Sequence, residues 1–278
     1  MTSRAKSLKL TSPFASGDPF NGLWRYLSMP LLAFVAVPLV ALLVQATPSE
    51  LIAGLQSEAV REAIWMTAIT TPISTALCVL VGTPVALMLS RKQHAGYYVA
   101  DTIVDLPTIL PPSVAGLALL LAFGRHGLVG SPLFTLFGIR IAFTPVAVIL
   151  AQTFVSVPFY IKSAAIGFAS VNRMLKEAAC LDGCGPWELF RYVTVPIAWP
   201  ALVSGGVMCW CRAIGEFGAT IIFAGNFPGR TQTMPLAIYI GFEMSLNTAL
   251  TLAIILMGFS FFGLLVVKLL LSKYAARP

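Results

Sequence analysis

Six long stretches of this chain contain no aspartate, glutamate, lysine or arginine, and they restrict it to a membrane fold. These stretches cover residues 26–49, 63–90, 106–124, 141–161, 192–211 and 244–267. About 20 apolar residues cross the hydrocarbon core of a bilayer as an α-helix. The chain is 58% hydrophobic and only 10% charged, too apolar for one soluble core. The sequence therefore predicts an all-α, polytopic membrane protein with six transmembrane helices, the fifth continuing to about residue 224.

The distribution of basic residues predicts the orientation of these helices. With six spans, both termini lie on the same side of the membrane. If that side is the cytoplasm, thirteen lysines and arginines fall inside and four outside, namely Arg61, Arg125, Arg140 and Arg230. The positive-inside rule then predicts cytoplasmic termini and a multi-pass protein of the inner or plasma membrane, with no cleaved signal peptide. The predicted parts are a tail over 1–25, a transmembrane domain over 26–272 and a second tail over 273–278.

Prolines inside the predicted spans suggest kinked helices. Proline removes a backbone donor and bends a helix, which a membrane protein tolerates where neighbours or water satisfy the freed groups. These helices either pack against one another as an ordinary kinked bundle or line a path. The prolines in question are Pro72, Pro84, Pro111, Pro112, Pro145 and Pro158.

The longest predicted cytoplasmic connection, residues 170–196, is amphiphilic. Ser170 or Asn172 is a suitable N-cap for a short helix, and Gly183 suits a left-handed turn after it. Pro186 then predicts the start of a second helix. The first helix has a polar face and an apolar face, the latter formed by Val171, Met174, Leu175 and Ala178. Such a helix docks into a groove on another protein or lies on the lipid surface.

The same connection contains a motif at fixed spacing. It reads Glu177-Ala178-Ala179, then Gly183 after three residues, then Val193, Val195 and Pro196. This resembles the EAA loop of ABC importer permeases, with valine replacing isoleucine and leucine. In that family the loop is a coupling helix that docks onto a separate ATP-binding subunit. The resemblance implies this contact for Glu177, Ala178, Ala179, Asp182, Gly183 and Pro196.

The resemblance also implies a division of labour between subunits. The chain has no Gly-x4-Gly-Lys-Ser/Thr phosphate loop, so ATP hydrolysis is expected in another polypeptide and this chain is not an enzyme. The expected partners are two ATP-binding subunits, a periplasmic or lipid-anchored oxyanion-binding protein and a second copy of the chain in a homodimer. No nucleic acid and no cofactor are expected.

A second stretch, residues 212–239, resembles the sulfate, molybdate and tungstate branch of these permeases. Its Gly-Glu-Phe-Gly-Ala-Thr and Pro-Gly-Arg-Thr-Gln-Thr-Met-Pro segments are most similar to molybdate permeases. The resemblance implies molybdate import, with tungstate or sulfate as alternatives. From other classes, a gradient-driven secondary anion carrier and a membrane scaffold remain to be considered. A carrier would use carboxylates such as Asp101 and Asp105, although these lie near the predicted interface, where ionised carboxylates are ordinary.

Charged residues within and outside the spans provide candidate sites. Arg212 and Glu216 lie one turn apart in the fifth span, either as a gate or as a structural ion pair, and both roles place them inside the bundle. The candidate gate comprises Arg212, Gly215, Glu216, Phe217 and Thr220. Arg125, Asn226 and Arg230 are candidates for contact with the binding protein on the outer face. No metal site is predicted, since Cys180 and Cys184 supply only two ligands.

Overall fold

The computed structural model describes residues 20–45, 47–91 and 96–275, and all their regular secondary structure is helical. Most of the predicted N-terminal tail (residues 1–19) and the last three residues lie outside this part. The helices are α1 Phe20–Gln45, α2 Pro48–Gln56, α3 Glu58–Ser90, α4 Tyr97–Ile109, α5 Pro112–Phe123, α6 Gly130–Phe137, α7 Pro145–Ala169, α8 Arg173–Leu181, α9 Pro186–Glu188, α10 Val195–Ile214, α11 Gly218–Phe223, α12 Met234–Met244 and α13 Leu246–Ala275. A π-helical turn, Leu189–Thr194, joins α9 to α10.

The lengths of the helices confirm a polytopic membrane protein. Five helical segments are long and apolar enough to cross a membrane, and a bent pair brings the number to six if it counts as one span. The first and last segments extend beyond their predicted limits: α1 begins at Phe20, inside the predicted tail, and α13 continues to Ala275. By its contacts the chain divides into one unit up to Thr47, which contains α1, and a second from Pro48 onward.

The third predicted span is not a straight helix. The chain bends by 115° between α4 and α5. Leu110 and Pro111 are extended, with ψ angles of 135° and 136°, because a proline disfavours the helical conformation of the residue before it. The adjacent Pro111 and Pro112 both lack a backbone donor as well, so the helix cannot continue through them.

The fifth predicted span is also interrupted. Its helix ends at Ile214, and residues 215–217 separate it from the short α11. The segment between the fifth and sixth predicted spans is helical in its second half, where α12 begins with Pro235 in its first turn. Sequence reasoning missed this break because it interpreted Arg212 and Glu216 as a charged pair within one continuous span. Pro145 likewise begins α7 and does not kink it, whereas Pro72, Pro84 and Pro158 lie inside their helices.

The core of the second unit is built on α3, α7 and α10, which pack along one another. Its buried contacts include Cys78, Tyr160, Ala164 and Ala198. A second cluster joins α5, α7 and α11, and a third joins α3, α12 and α13. Small side chains at these crossings let backbones approach closely, which is how helices gain packing energy where lipid removes the usual hydrophobic drive.

The crossing of α5 and α11 depends on a glycine and gives the first prediction. A Cβ at Gly116 would lie 2.7 Å from the carbonyl oxygen of Ala219, a backbone atom that moves only if α11 moves. We expect Gly116→Val to destabilise the fold by about 3 kcal/mol. The thermal unfolding midpoint should fall by at least about 6 °C.

Gly258→Ala is the matched control for this substitution. A Cβ at Gly258 meets no atom within 4 Å, and alanine favours a helix more than glycine does. Its midpoint should stay within about 2 °C of the wild-type value. Equal midpoints for Gly116→Val and the unchanged protein would contradict the close crossing.

Candidate functional site

The predicted amphiphilic connection folds as helix, turn and helix. Asn172 is the N-cap of α8, and its side-chain oxygen accepts a hydrogen bond from the amide of Met174 at 2.9 Å. Gly183 has a φ of +88°, the left-handed conformation that favours glycine. Pro186 then begins α9, whose start is closed by a hydrogen bond from the Gly185 amide to the Glu188 carboxylate. These local predictions are confirmed.

The helix α8 presents much of its surface to solvent. Met174 is 70% and Leu181 89% exposed, and Glu177, Ala178, Asp182 and Gly183 are exposed as well. Exposed large apolar side chains beside a charged residue indicate a contact surface for another protein or a membrane. Ala179 is half-buried, while Pro196 is exposed. Val171, predicted on the apolar face of α8, instead precedes the helix and is buried in the core.

The inner side of this loop is anchored by aromatic rings. The ring of Phe190, in the π turn, packs against the ring of Phe168 in α7, with centroids 6.2 Å apart. It also packs against the ring of Trp187, with centroids 5.7 Å apart. The helix α8 also packs against the π turn. Sequence reasoning did not select these rings because an aromatic residue in an amphiphilic loop has no distinctive spacing. They anchor α9 and the π turn to α7, a long helix of the core.

The π turn itself has a local cause. Pro196 cannot donate a hydrogen bond to the carbonyl four residues earlier, and its ring would crowd that carbonyl in a regular α-helix. The wider π turn immediately before it relieves the crowding. The hydroxyl of Thr194 donates to the carbonyl of Leu189 at 3.2 Å within the same turn. The proline of the motif therefore sets the geometry at the point where the loop enters α10.

Arg212 and Glu216 form an ion pair at the end of α10. Arg212 Nη1 donates to Glu216 Oε2 at 2.8 Å, and the side chains are 30% and 1% exposed. The other carboxylate oxygen, Oε1, accepts from the amide of Ala219 at 2.7 Å. Both oxygens of Glu216 are therefore held by groups of its own chain, one before the break and one after it. The pair lies inside the second unit, as predicted.

The remaining candidate gate residues surround this break. Gly215 is exposed, and the ring of Phe217 packs on Tyr239 of α12 with centroids 5.2 Å apart. Thr220 is buried, and its hydroxyl has no hydrogen-bond partner among the described residues. The break thus connects to α10 through an ion pair, to α11 through a hydrogen bond and to α12 through a ring contact.

The three outer-face candidates have different surroundings. Arg125 and Arg230 are exposed and line one cavity, together with Arg140. Asn226 is half-buried, and its amide nitrogen donates to the carbonyl of Leu236 at 3.4 Å. The side chain of Asn226 therefore holds the loop before α12, whereas the arginines are free to meet a ligand or a partner.

A comparison with family models decides which class of protein this is. Residues 79–275 match the family described as the inner membrane component of binding-protein-dependent transport systems. The chain belongs to this family. It is the permease subunit of an ABC importer, located in the inner membrane, and ATP hydrolysis resides in a partner subunit. The family also implies a substrate-binding protein as a partner.

Besides the family model, two individual proteins are similar to this permease. The permease is 38% identical over 241 residues to the molybdenum transport system permease protein ModB of Mycobacterium tuberculosis, covering 86% of this chain and 91% of that one. It is 40% identical over 164 residues to a Chlorella vulgaris protein named as a probable sulfate transport system permease, cysT, covering 59% and 61%.

A solved structure shares the permease's fold. A chain of the bacterial ABC transporter that imports the acidic polysaccharide alginate matches with a TM-score of 0.67 at 18% identity, covering 92% of this chain and 96% of that one. At this low identity the similarity concerns the fold alone.

The carboxylates that a carrier would use have a structural partner in this permease. Lys162 of α7 pairs with Asp101 at 2.5 Å and with Asp105 at 2.9 Å, both on α4. One lysine thus bridges two carboxylates and joins α4 to α7. Sequence reasoning left Asp101 and Asp105 without a partner because Lys162 is distant in the chain. Among the described residues, no three histidine, cysteine, aspartate or glutamate side chains lie close enough to hold a metal ion.

Proposed function

We propose that this permease imports molybdate, delivered by an oxyanion-binding protein outside the membrane. Molybdate is supported by similarity to permeases that are named for molybdenum transport. In one case this similarity covers 86% of the sequence. Sulfate is the second candidate, because a sulfate permease is 40% identical over 164 residues. Tungstate remains an alternative because it has the same shape and charge as molybdate.

The surface of α8 and the following turn are proposed to receive the ATPase subunit. Glu177, Ala178, Asp182 and Gly183 are exposed there, Ala179 lies half-buried beside them, and Pro196 shapes the entry to α10. Exposed apolar residues on the same helix suit a groove on another protein. ATP binding and hydrolysis would move α8, and the aromatic contacts to α7 would transmit this movement to the spans.

The segment around the break after α10 is proposed to gate the pathway. Gly215 and Phe217 lie at the interruption between α10 and α11, and Arg212 is partly exposed. Glu216 acts as a positioning residue, because its carboxylate links α10 to α11. Thr220 offers a hydroxyl that has no partner within the described part of the chain. A hinge of this kind can adopt two arrangements that ATP and the delivered substrate stabilise differently.

The assembly is proposed to be a homodimer with two ATPase subunits and cytoplasmic termini. A twofold pair places the pathway between two copies and presents two equivalent coupling loops. The positive-inside distribution places α8 in the cytoplasm and Arg125, Asn226 and Arg230 outside, where we propose that the binding protein docks.

Uptake by the reconstituted complex tests this function. Proteoliposomes containing the permease, its ATPase subunits and the binding protein should accumulate labelled molybdate only with ATP inside, and excess tungstate or sulfate serves as competitor. We expect sulfate in tenfold excess to leave most uptake intact. Uptake of sulfate in preference to molybdate would overturn the substrate, and uptake without ATP would overturn the coupling.

A further inference from the structure

Three arginines from separate segments of the chain line one cavity. Arg125 follows α5, Arg140 precedes α7, and Arg230 lies in the loop before α12. The cavity has a volume of about 450 Å³, and its wall also includes Phe134 of α6 and Phe227. Nothing in the spacing of these arginines along the sequence indicates that they share a site.

Two of the arginines are held by the same aromatic ring. The guanidinium carbon of Arg125 lies 4.6 Å and that of Arg140 5.1 Å from the centre of the Phe134 ring. A ring orients a guanidinium through its quadrupole and leaves the N–H groups at the edge available. Both guanidinium groups therefore rest on one ring, each with N–H groups available to an anion.

No carboxylate of the described residues forms an ion pair with any of the three arginines. The four ion pairs found there involve Lys162, Arg173 and Arg212. Glu62 lies beside Gly229, the neighbour of Arg230, yet it does not pair with that arginine. In the described part of the chain, the positive charge of the cavity is thus not paired with a carboxylate.

The wall of the cavity also contains a costly backbone conformation. Phe143 has a φ of +62°, which is unusual for a residue with a Cβ, and its ring packs edge-on against Phe227 at 6.3 Å. Its amide donates to the carbonyl of Phe223 at 3.3 Å, which links the wall to α11. Residues held in such conformations are concentrated at ligand sites.

We propose that this cavity is a binding site for a divalent tetrahedral oxyanion. Guanidinium groups recognise such anions through paired N–H donors. The cavity is many times larger than the roughly 30 Å³ that one water molecule occupies in the liquid, so the anion would keep part of its hydration shell. A wet, weak site is what conduction requires, because a tight site would retain the ion.

The inference deepens the proposed function and rests on it. The oxyanion released by the binding protein would enter the cavity between α6 and the loop before α12. The hydrogen bond from Phe143 to Phe223 places the site next to α11, which follows the candidate gate. The same arginines could instead contact acidic side chains of the binding protein. The experiment below separates anion binding from this protein contact.

The test measures anion binding without the binding protein. The full-length permease, purified with its ATPase subunits in nanodiscs, is equilibrated with molybdate, and bound molybdenum is determined by mass spectrometry, with sulfate and phosphate as competitors. We expect saturable binding that Arg125→Gln, Arg140→Gln and Arg230→Gln each weaken about tenfold. Arg61→Gln is the matched control, because it removes the same charge from an exposed residue outside the cavity.

Each outcome decides the inference. Absence of saturable binding by the unchanged complex would overturn it, and so would equal weakening by Arg61→Gln, which would indicate general surface charge. Variants that bind molybdate normally but lose affinity for the binding protein would assign the arginines to protein docking and overturn the anion site. If sulfate bound more tightly than molybdate, the anion site would be supported and only the proposed substrate would be wrong. Basal ATPase activity confirms that each variant is folded.

Discussion

Glu177→Lys is expected to reduce ATP-driven uptake at least about tenfold while leaving the fold intact. Glu177 is exposed on α8, and its ion pair with Arg173, at 2.6 Å, joins two side chains that are 56% and 89% exposed. Exposed pairs of this kind contribute about 0.5 kcal/mol or less, so stability should hardly change. Reversing a charge at a docked surface places like charges together, which costs several kilocalories per mole.

A charge swap separates docking from local helix stability. The double variant Arg173→Glu with Glu177→Arg keeps an ion pair on α8 but changes the surface presented to the ATPase subunit. We expect uptake and co-purification of the ATPase to remain lost in the double variant, with an unchanged thermal midpoint. Glu243→Lys, the same charge change on an exposed residue of α12, is the control and should transport normally. Recovery of transport in the double variant would contradict a docking role for Glu177.

Glu216→Ala is expected to destabilise the permease by about 3 kcal/mol, the lower end for a broken buried ion pair. The carboxylate is 1% exposed and is bound by Arg212 and by the amide of Ala219. Its loss leaves Arg212 without a counter-ion, although that side chain is 30% exposed and gains some solvation. The thermal midpoint should fall by at least about 6 °C.

Glu216→Gln distinguishes the structural role from a gating role. Glutamine keeps an oxygen that accepts from Ala219 and removes only the charge. We expect a loss of stability about half that of the alanine variant, with uptake falling in proportion to the folded fraction. If the glutamine variant were as stable as wild type but transported nothing, the charge itself would act in the gate and the positioning role would be wrong. Gly258→Ala serves again as the unaffected control.

Local sequence patterns predicted the backbone structure of residues 170–196 well. Asn172, Gly183 and Pro186 occupy the positions that capping and turn preferences require, because each depends on the backbone within a few residues. The bend of the third span agrees with the kink that Pro111 and Pro112 predicted, whereas the break in the fifth span was missed. Apolar composition gives the same hydropathy whether a helix continues or bends, and the geometry at Pro111 and around Gly215 decides between them.

The sequence by itself determined that this chain crosses a membrane and carries an amphiphilic loop with the EAA spacing, because charge-free length and short-range motifs are written along the chain. Only the tertiary structure decided which distant groups meet. Lys162 pairs with both Asp101 and Asp105, and Arg125, Arg140 and Arg230 line one cavity. These contacts join segments separated by tens of residues. They depend on how the helices pack, and packing follows from side-chain shape across crossings that no local spacing encodes.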